Sequence, residues 1–174
     1  KFALPALALW VAGPVLTLID TSAVGISAGA AQSAVEIAAL GPATSVCDGT
    51  GYFFAFLNVA ATNLLASAAS DEERATVARR GLQLALYCGV TSAVLLRILA
   101  KPVLTIFVGA ESAAVLEKSA AYVETRALGL PLLLLSNVLT ACLLGVKDSM
   151  APLRAQVASA TTNVVGDYAA VFAL

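Results

Sequence analysis

The chain has 174 residues, of which 60% are hydrophobic and 12% charged; ten basic and eleven acidic side chains leave a net charge of −1. A soluble domain carries about 25% charged residues, so a chain this apolar (mean hydropathy +0.90) reads as an integral membrane protein. Disordered, collagen-like and disulfide-stapled classes are excluded, and the balanced charge offers no basic field for nucleic acid.

Histidine is absent, which removes the commonest general base and the commonest metal ligand. Cys47, Cys88 and Cys142 lie far apart in apolar runs and form no metal-ligand spacing. They read as small residues packed within membrane helices. Lys1 runs directly into an apolar stretch, with no initiator Met, and the chain stops in another at Leu174. The expectation is a piece of a longer polypeptide.

A membrane-spanning helix needs about 20 mostly apolar residues. Five such runs are predicted, at about 2–26, 35–69, 81–100, 120–146 and 153–174. The fold class expected is therefore all-α, a polytopic transmembrane helix bundle. The first run is uncharged until Asp20 and is expected to break at Pro5 and at Gly13-Pro14. A small polar loop, 27–33, separates it from the second run, which is long for one span. Ser70 with Glu73 matches a capping box, and Arg74, Arg79 and Arg80 come after it. The third run is expected to end at Lys101-Pro102, leaving 103–108 as a short interfacial piece. The fourth contains Gly129 and Pro131, and Pro152 suits the first turn of the fifth. Short loops make neighbouring helices antiparallel. Arg74, Arg79, Arg80, Lys147, Arg154 and Lys1 then share one side, the cytosolic one or its organellar equivalent, against Lys101 and Lys118 on the other.

Ionisable groups within the bilayer are expensive and mark function. Three of the eleven acids lie within apolar runs: Asp20, Asp48 and Asp167. Ser159, Thr162, Asn163, Gly166 and Asp167 recur on one helical face, and Asn163 lies one turn from Asp167. Close helix packing accounts for the Ser, Thr and Gly of such a stripe, but it does not call for a carboxylate. Asp20 shares a face with Gly13 and Thr17 near a helix end, where it also suits an interfacial cap. Thr44, Asp48, Gly51, Ala55, Asn58 and Thr62 form a second polar stripe, equally suited to helix packing and to pocket lining. Arg126, near Glu124, is expected to snorkel to the interface.

Several segments together resemble the first half of a multidrug and toxic compound extrusion (MATE) transporter. They are Leu18-Ile19-Asp20-Thr21 with Gly25, Glu36-Ile37-Ala38-Ala39-Leu40-Gly41, Gly129-Leu130-Pro131, Leu144-Gly145-Val146-Lys147-Asp148-Ser149, Pro152-Leu153, and Asn163 with Asp167. They occur in the family's order and run nearly end to end. Leu40-Gly41-Pro42-Ala43-Thr44, Cys47-Asp48, Tyr52-Phe53, Ala60-Ala61-Thr62-Asn63 and Gly166-Asp167 resemble the plastid-envelope subgroup of plants and algae, the type linked to salicylate-pathway export.

The resemblance implies part of the N-terminal lobe of a two-lobe antiporter, with the second lobe absent from this chain. It implies coupling to H+ or Na+ at Asp20, Asn163 and Asp167, with no other cofactor and no enzymatic activity. A carboxylate in low dielectric favours its neutral form, and a second carboxylate nearby favours it further, so Asp20 and Asp167 are expected to share a proton. Pro5 falls near a helix-1 proline that bends with protonation in relatives. Pro5, Asp48, Asn58, Thr62 and Thr162 are the substrate-cavity candidates. The implied partners are membrane lipid and a small organic, anionic or phenolic substrate. The membrane expected is a plastid envelope, otherwise the plasma membrane. The competing readings are a lipid-linked precursor flippase of the same superfamily, whose cavity is usually cationic, and a structural or accessory subunit whose polar stripes only pack helices. An intramembrane enzyme is disfavoured: no His-metal motif exists, nor a pair of Gly-flanked aspartates.

Overall fold

A computed structural model describes residues 3–27, 30–109 and 112–172. Seven helices account for nearly all of them: α1 (Ala3–Ser27), α2 (Ala30–Phe53), α3 (Ala55–Ser67), α4 (Asp71–Val108), α5 (Ala113–Ala127), α6 (Leu130–Gly145) and α7 (Met150–Phe172). Among the described residues, 3–23 and 71–108 are long and apolar enough to cross a membrane. α5 and α6 pass together as a pair bent by 54°.

Five boundaries differ from the sequence reading, one of them the split of the run expected over 120–146 into α5 and α6, with Pro131 at the start of α6 rather than inside one helix. α1 does not break at its prolines: Pro5 falls in the first turn, where a missing N–H costs nothing, and Pro14 sits inside a continuous helix. Described helix resumes at Ala30, inside the expected loop, because Ala30 and Ala31 are strong helix formers. The long second run is two helices. Phe54 leaves the helical path at ψ 9°, after Gly49 and Gly51 have weakened the turn before it, and its N–H bonds the Gly51 carbonyl at 3.2 Å. α4 continues through Pro102 to Val108 and is closed by Gly109, whose N–H bonds the Thr105 carbonyl at 3.0 Å. Proline bends or interrupts a helix through one lost hydrogen bond, and the apolar run from Val103 carries this one onward.

Other signals read as expected. The Ser70 hydroxyl accepts from the Glu73 N–H at 3.2 Å, and Glu73 Oε2 accepts from the Ala69 N–H at 2.9 Å. Three acids occupy the first turn of α4, where the helix dipole favours them. Asp148 Oδ1 accepts from the N–H groups of Met150 and Ala151, starting α7 with Pro152 in its first turn.

The chain divides into two compact units. One is Lys1–Ala38 with Lys147–Leu174, in which α1 packs on α7. The other, Ala39–Val146, is organised by α4. On one stretch of α4, Ala93, Leu96, Ala100 and Leu104 meet Ala43, Val46 and Cys47 of α2, Ala120, Val123 and Ala127 of α5, and Leu130. Nearer its start, Ala85 joins Leu57, Ala61 and Leu65 of α3 and Leu134, Val138, Ala141 and Cys142 of α6. Buried positions are thus mostly small. Large apolar side chains point outward, with Trp10 81% and Ile106 84% exposed. That distribution would aggregate in water and suits a lipid surround, where small interfaces let helices approach closely.

Two glycines set those approaches. A Cβ on Gly89 would stand 2.5 Å from the Cα of Pro131, and one on Gly145 would stand 2.9 Å from the Thr62 carbonyl oxygen.

Candidate functional site

Within the first unit, α1 and α7 enclose an open groove of about 390 Å3. Its α1 wall is Val15, Leu18, Ile19, Ser22, Ala23 and Ile26, recurring every three or four residues as one helical face requires. Its α7 wall is Val164, Asp167 and Tyr168. The Ser22 hydroxyl donates to the Leu18 carbonyl of its own helix at 2.7 Å.

Asp167 is therefore a carboxylate in an otherwise mostly apolar groove. Its Oδ2 is shielded from solvent and has no hydrogen-bond partner. A buried acceptor left unpaired costs about 1–3 kcal/mol, and more when charged. A hydrogen-bond donor or a small cation beside that oxygen would remove the cost. Among the described residues no cluster of three or more His, Cys, Asp or Glu could hold a metal ion.

The expected partners of Asp167 are placed differently from it. Asn163 is exposed on α7, one turn earlier. Thr162 is exposed, and its hydroxyl donates to the Ala158 carbonyl at 3.0 Å. Asp20 is exposed on α1 and does not line the groove. At 3.6 residues per turn it lies roughly 130° around α1 from the middle of the lining stripe. Pro5 is half-buried in the first turn of α1.

The stripe from Thr44 to Thr62 belongs to the second unit, and the break at Phe54 divides it between two helices. Thr44 bonds its own helix through the Leu40 carbonyl at 2.7 Å. Asn58 is half-buried on α3. The Thr62 hydroxyl donates to the Ala141 carbonyl at 3.1 Å, tying α3 to α6. Asp48 does not stand alone: Arg126 Nη2 donates to its Oδ1 at 2.9 Å. Arg126, expected to reach for the interface, instead pairs across helices. Nothing in either local pattern points to this, because the partners are 78 residues apart.

A polytopic helical chain with small residues inside, large apolar ones outside and a lone carboxylate in an apolar groove defines the class, an integral membrane protein. Comparison with known proteins gives the family: the MatE profile matches residues 7–169, and the chain belongs to that family. It is also 32% identical over 170 residues to "Protein DETOXIFICATION 47, chloroplastic" of Arabidopsis thaliana, covering 96% of this chain and 30% of that protein. The chain thus spans less than a third of the length of this relative. No solved structure matches it.

Proposed function

We propose that this chain is part of a cation-coupled efflux transporter of small organic compounds, working by alternating access. Asp167 carries the coupling; the family resemblance adds Asn163 and Asp20 as its helpers, although Asp20 lies outside the groove in this structure. The observation behind this reading is the shielded, unpartnered Oδ2 of Asp167 in the α1–α7 groove. Family membership supports the transport role, and the family resemblance of Asp20, Asn163 and Asp167 supports their grouping. In this reading the chain makes five passes: α1, α2 with α3, α4, α5 with α6, and α7. The length of the relative leaves room for a second lobe that completes the alternating-access pair. The chloroplastic relative favours a plastid envelope as the membrane.

When Oδ2 is ionised, the groove holds an uncompensated charge; protonation or Na+ binding removes it and lets α1 and α7 close. The test is export by the full-length protein in vesicles under an imposed pH or sodium gradient. Asp167→Asn mimics the neutral carboxyl, so gradient-driven export is expected to fall at least about tenfold, in line with the loss of a differential interaction worth about 1.4 kcal/mol. A variant that exports normally with unchanged ion dependence would falsify the assignment.

A further inference from the structure

Two helix breaks lie close to one ion pair in the second unit. α2 ends at Phe53 and α5 ends at Ala127. Asp48 stands shortly before the first end, and Arg126 immediately before the second. Past the breaks the chain continues as α3 and α6, the latter turned by 54° from α5. A continuous helix holds its own direction through its hydrogen-bond ladder; a broken one does not, so contacts between helices must set the angle.

Between α2 and α5 those contacts are sparse. The apolar seam, a cluster that α2 and α5 share with α4, consists mostly of small residues, Ala43, Val46 and Cys47 on α2 and Ala120, Val123 and Ala127 on α5. At one end it is tied by the Ser119 hydroxyl, which donates to the Ala39 carbonyl at 2.9 Å and is buried. At the end beside both breaks, the tie is the Asp48–Arg126 pair, whose side chains are 49% and 40% exposed. The Arg126 guanidinium also stands 5.9 Å from the ring centroid of Tyr122, one turn back on α5, a second favourable seat for the cation. Of these two ties, the ion pair is the one that outside groups can reach.

We propose that the Asp48–Arg126 pair is a conformational latch. Closed, it holds the α2 and α5 breaks together and seals Cys47, 2% exposed, in the seam. Parted, it frees the bend and opens the seam beside Cys47. The latch does not depend on the coupling role of Asp167.

Native cysteines supply the readout. In the full-length protein in membranes, with Cys88 replaced by Ala, N-ethylmaleimide labelling of Cys47 and Cys142 is tracked by peptide mass spectrometry. Cys142 is 5% exposed in the other cluster, away from the pair. Asp48→Asn and Arg126→Gln are each expected to speed Cys47 labelling by up to about fivefold, the range of a half-exposed ion pair. The exchanged pair Asp48→Arg with Arg126→Asp should return it to near the parent rate, with Cys142 unchanged throughout. An electrostatic effect on thiol reactivity would act in opposite directions in the two single variants, so acceleration in both reports opening. Should one single variant fail to accumulate, the other and the exchanged pair decide. The latch is overturned if Cys47 labelling does not change, if Cys142 accelerates equally, or if the exchanged pair labels like the single variants.

Discussion

Gly89 faces Pro131 with no room for a methyl group, and the obstacle is backbone rather than a side chain that could swing aside. Gly89→Ala is therefore expected to destabilise the protein by about 1–3 kcal/mol, the usual cost of overpacking. Gly41, also helical, has open space around it, so Gly41→Ala should be neutral or slightly stabilising, since alanine is the better helix former. Thermal unfolding of the two variants in one detergent compares them directly. At this scale the sequence was partly legible. Asp167 stood out because a carboxylate is costly in an apolar run. The significance of Gly89 was not visible, because its meaning lies in a backbone more than forty residues away.

Among the elements, the start of α4 is the most clearly encoded. Ser70→Ala removes the acceptor for the Glu73 N–H and should cost about 1 kcal/mol, read as a shift in unfolding midpoint that Ser70→Asp largely avoids. The capping box and the proline in the first turn of α7 are local chemistry, and each appeared in the sequence as it does in the structure. The missed boundaries share a different cause. Whether Pro102 ends a helix or is carried through depends on the residues after it, and Val103 to Val108 continue the helix. Whether a long apolar run is one helix or two depends on small energy differences around Gly49, Gly51 and Phe54. The Asp48–Arg126 pair lies beyond any local signal, since only the fold brings α2 and α5 together.

Across the whole molecule, the inversion of size between inside and outside identifies the solvent as lipid. α4 makes this measurable. Its 38 residues amount to about 57 Å at 1.5 Å each, against about 30 Å of hydrocarbon, so part of it must leave the membrane. The charged first turns are the part suited to water. A water-soluble maleimide applied to open membranes should label Thr76→Cys rapidly and Leu86→Cys slowly, although both positions are exposed in the fold. Equal rates would place α4 outside the bilayer. Family and class were readable from ordered short segments and composition; the division into two compact units was not, because it depends on α1 and α7, from opposite ends of the chain, packing together.

The contact between Gly89 and Pro131 has a place along α4 as well as a distance. Arg80 and Arg97 bracket the longest uncharged stretch of α4, about 25 Å of helix, and Gly89 stands at its middle. Pro131, just past the bend between α5 and α6, is therefore held against the middle of that stretch. The turn supplies its own bonds: the Leu128 N–H reaches the Thr125 carbonyl at 3.3 Å, and the Gly129 N–H reaches that of Arg126 at 3.0 Å. A turn that closes on its own backbone leaves those N–H groups satisfied without help from a neighbouring helix.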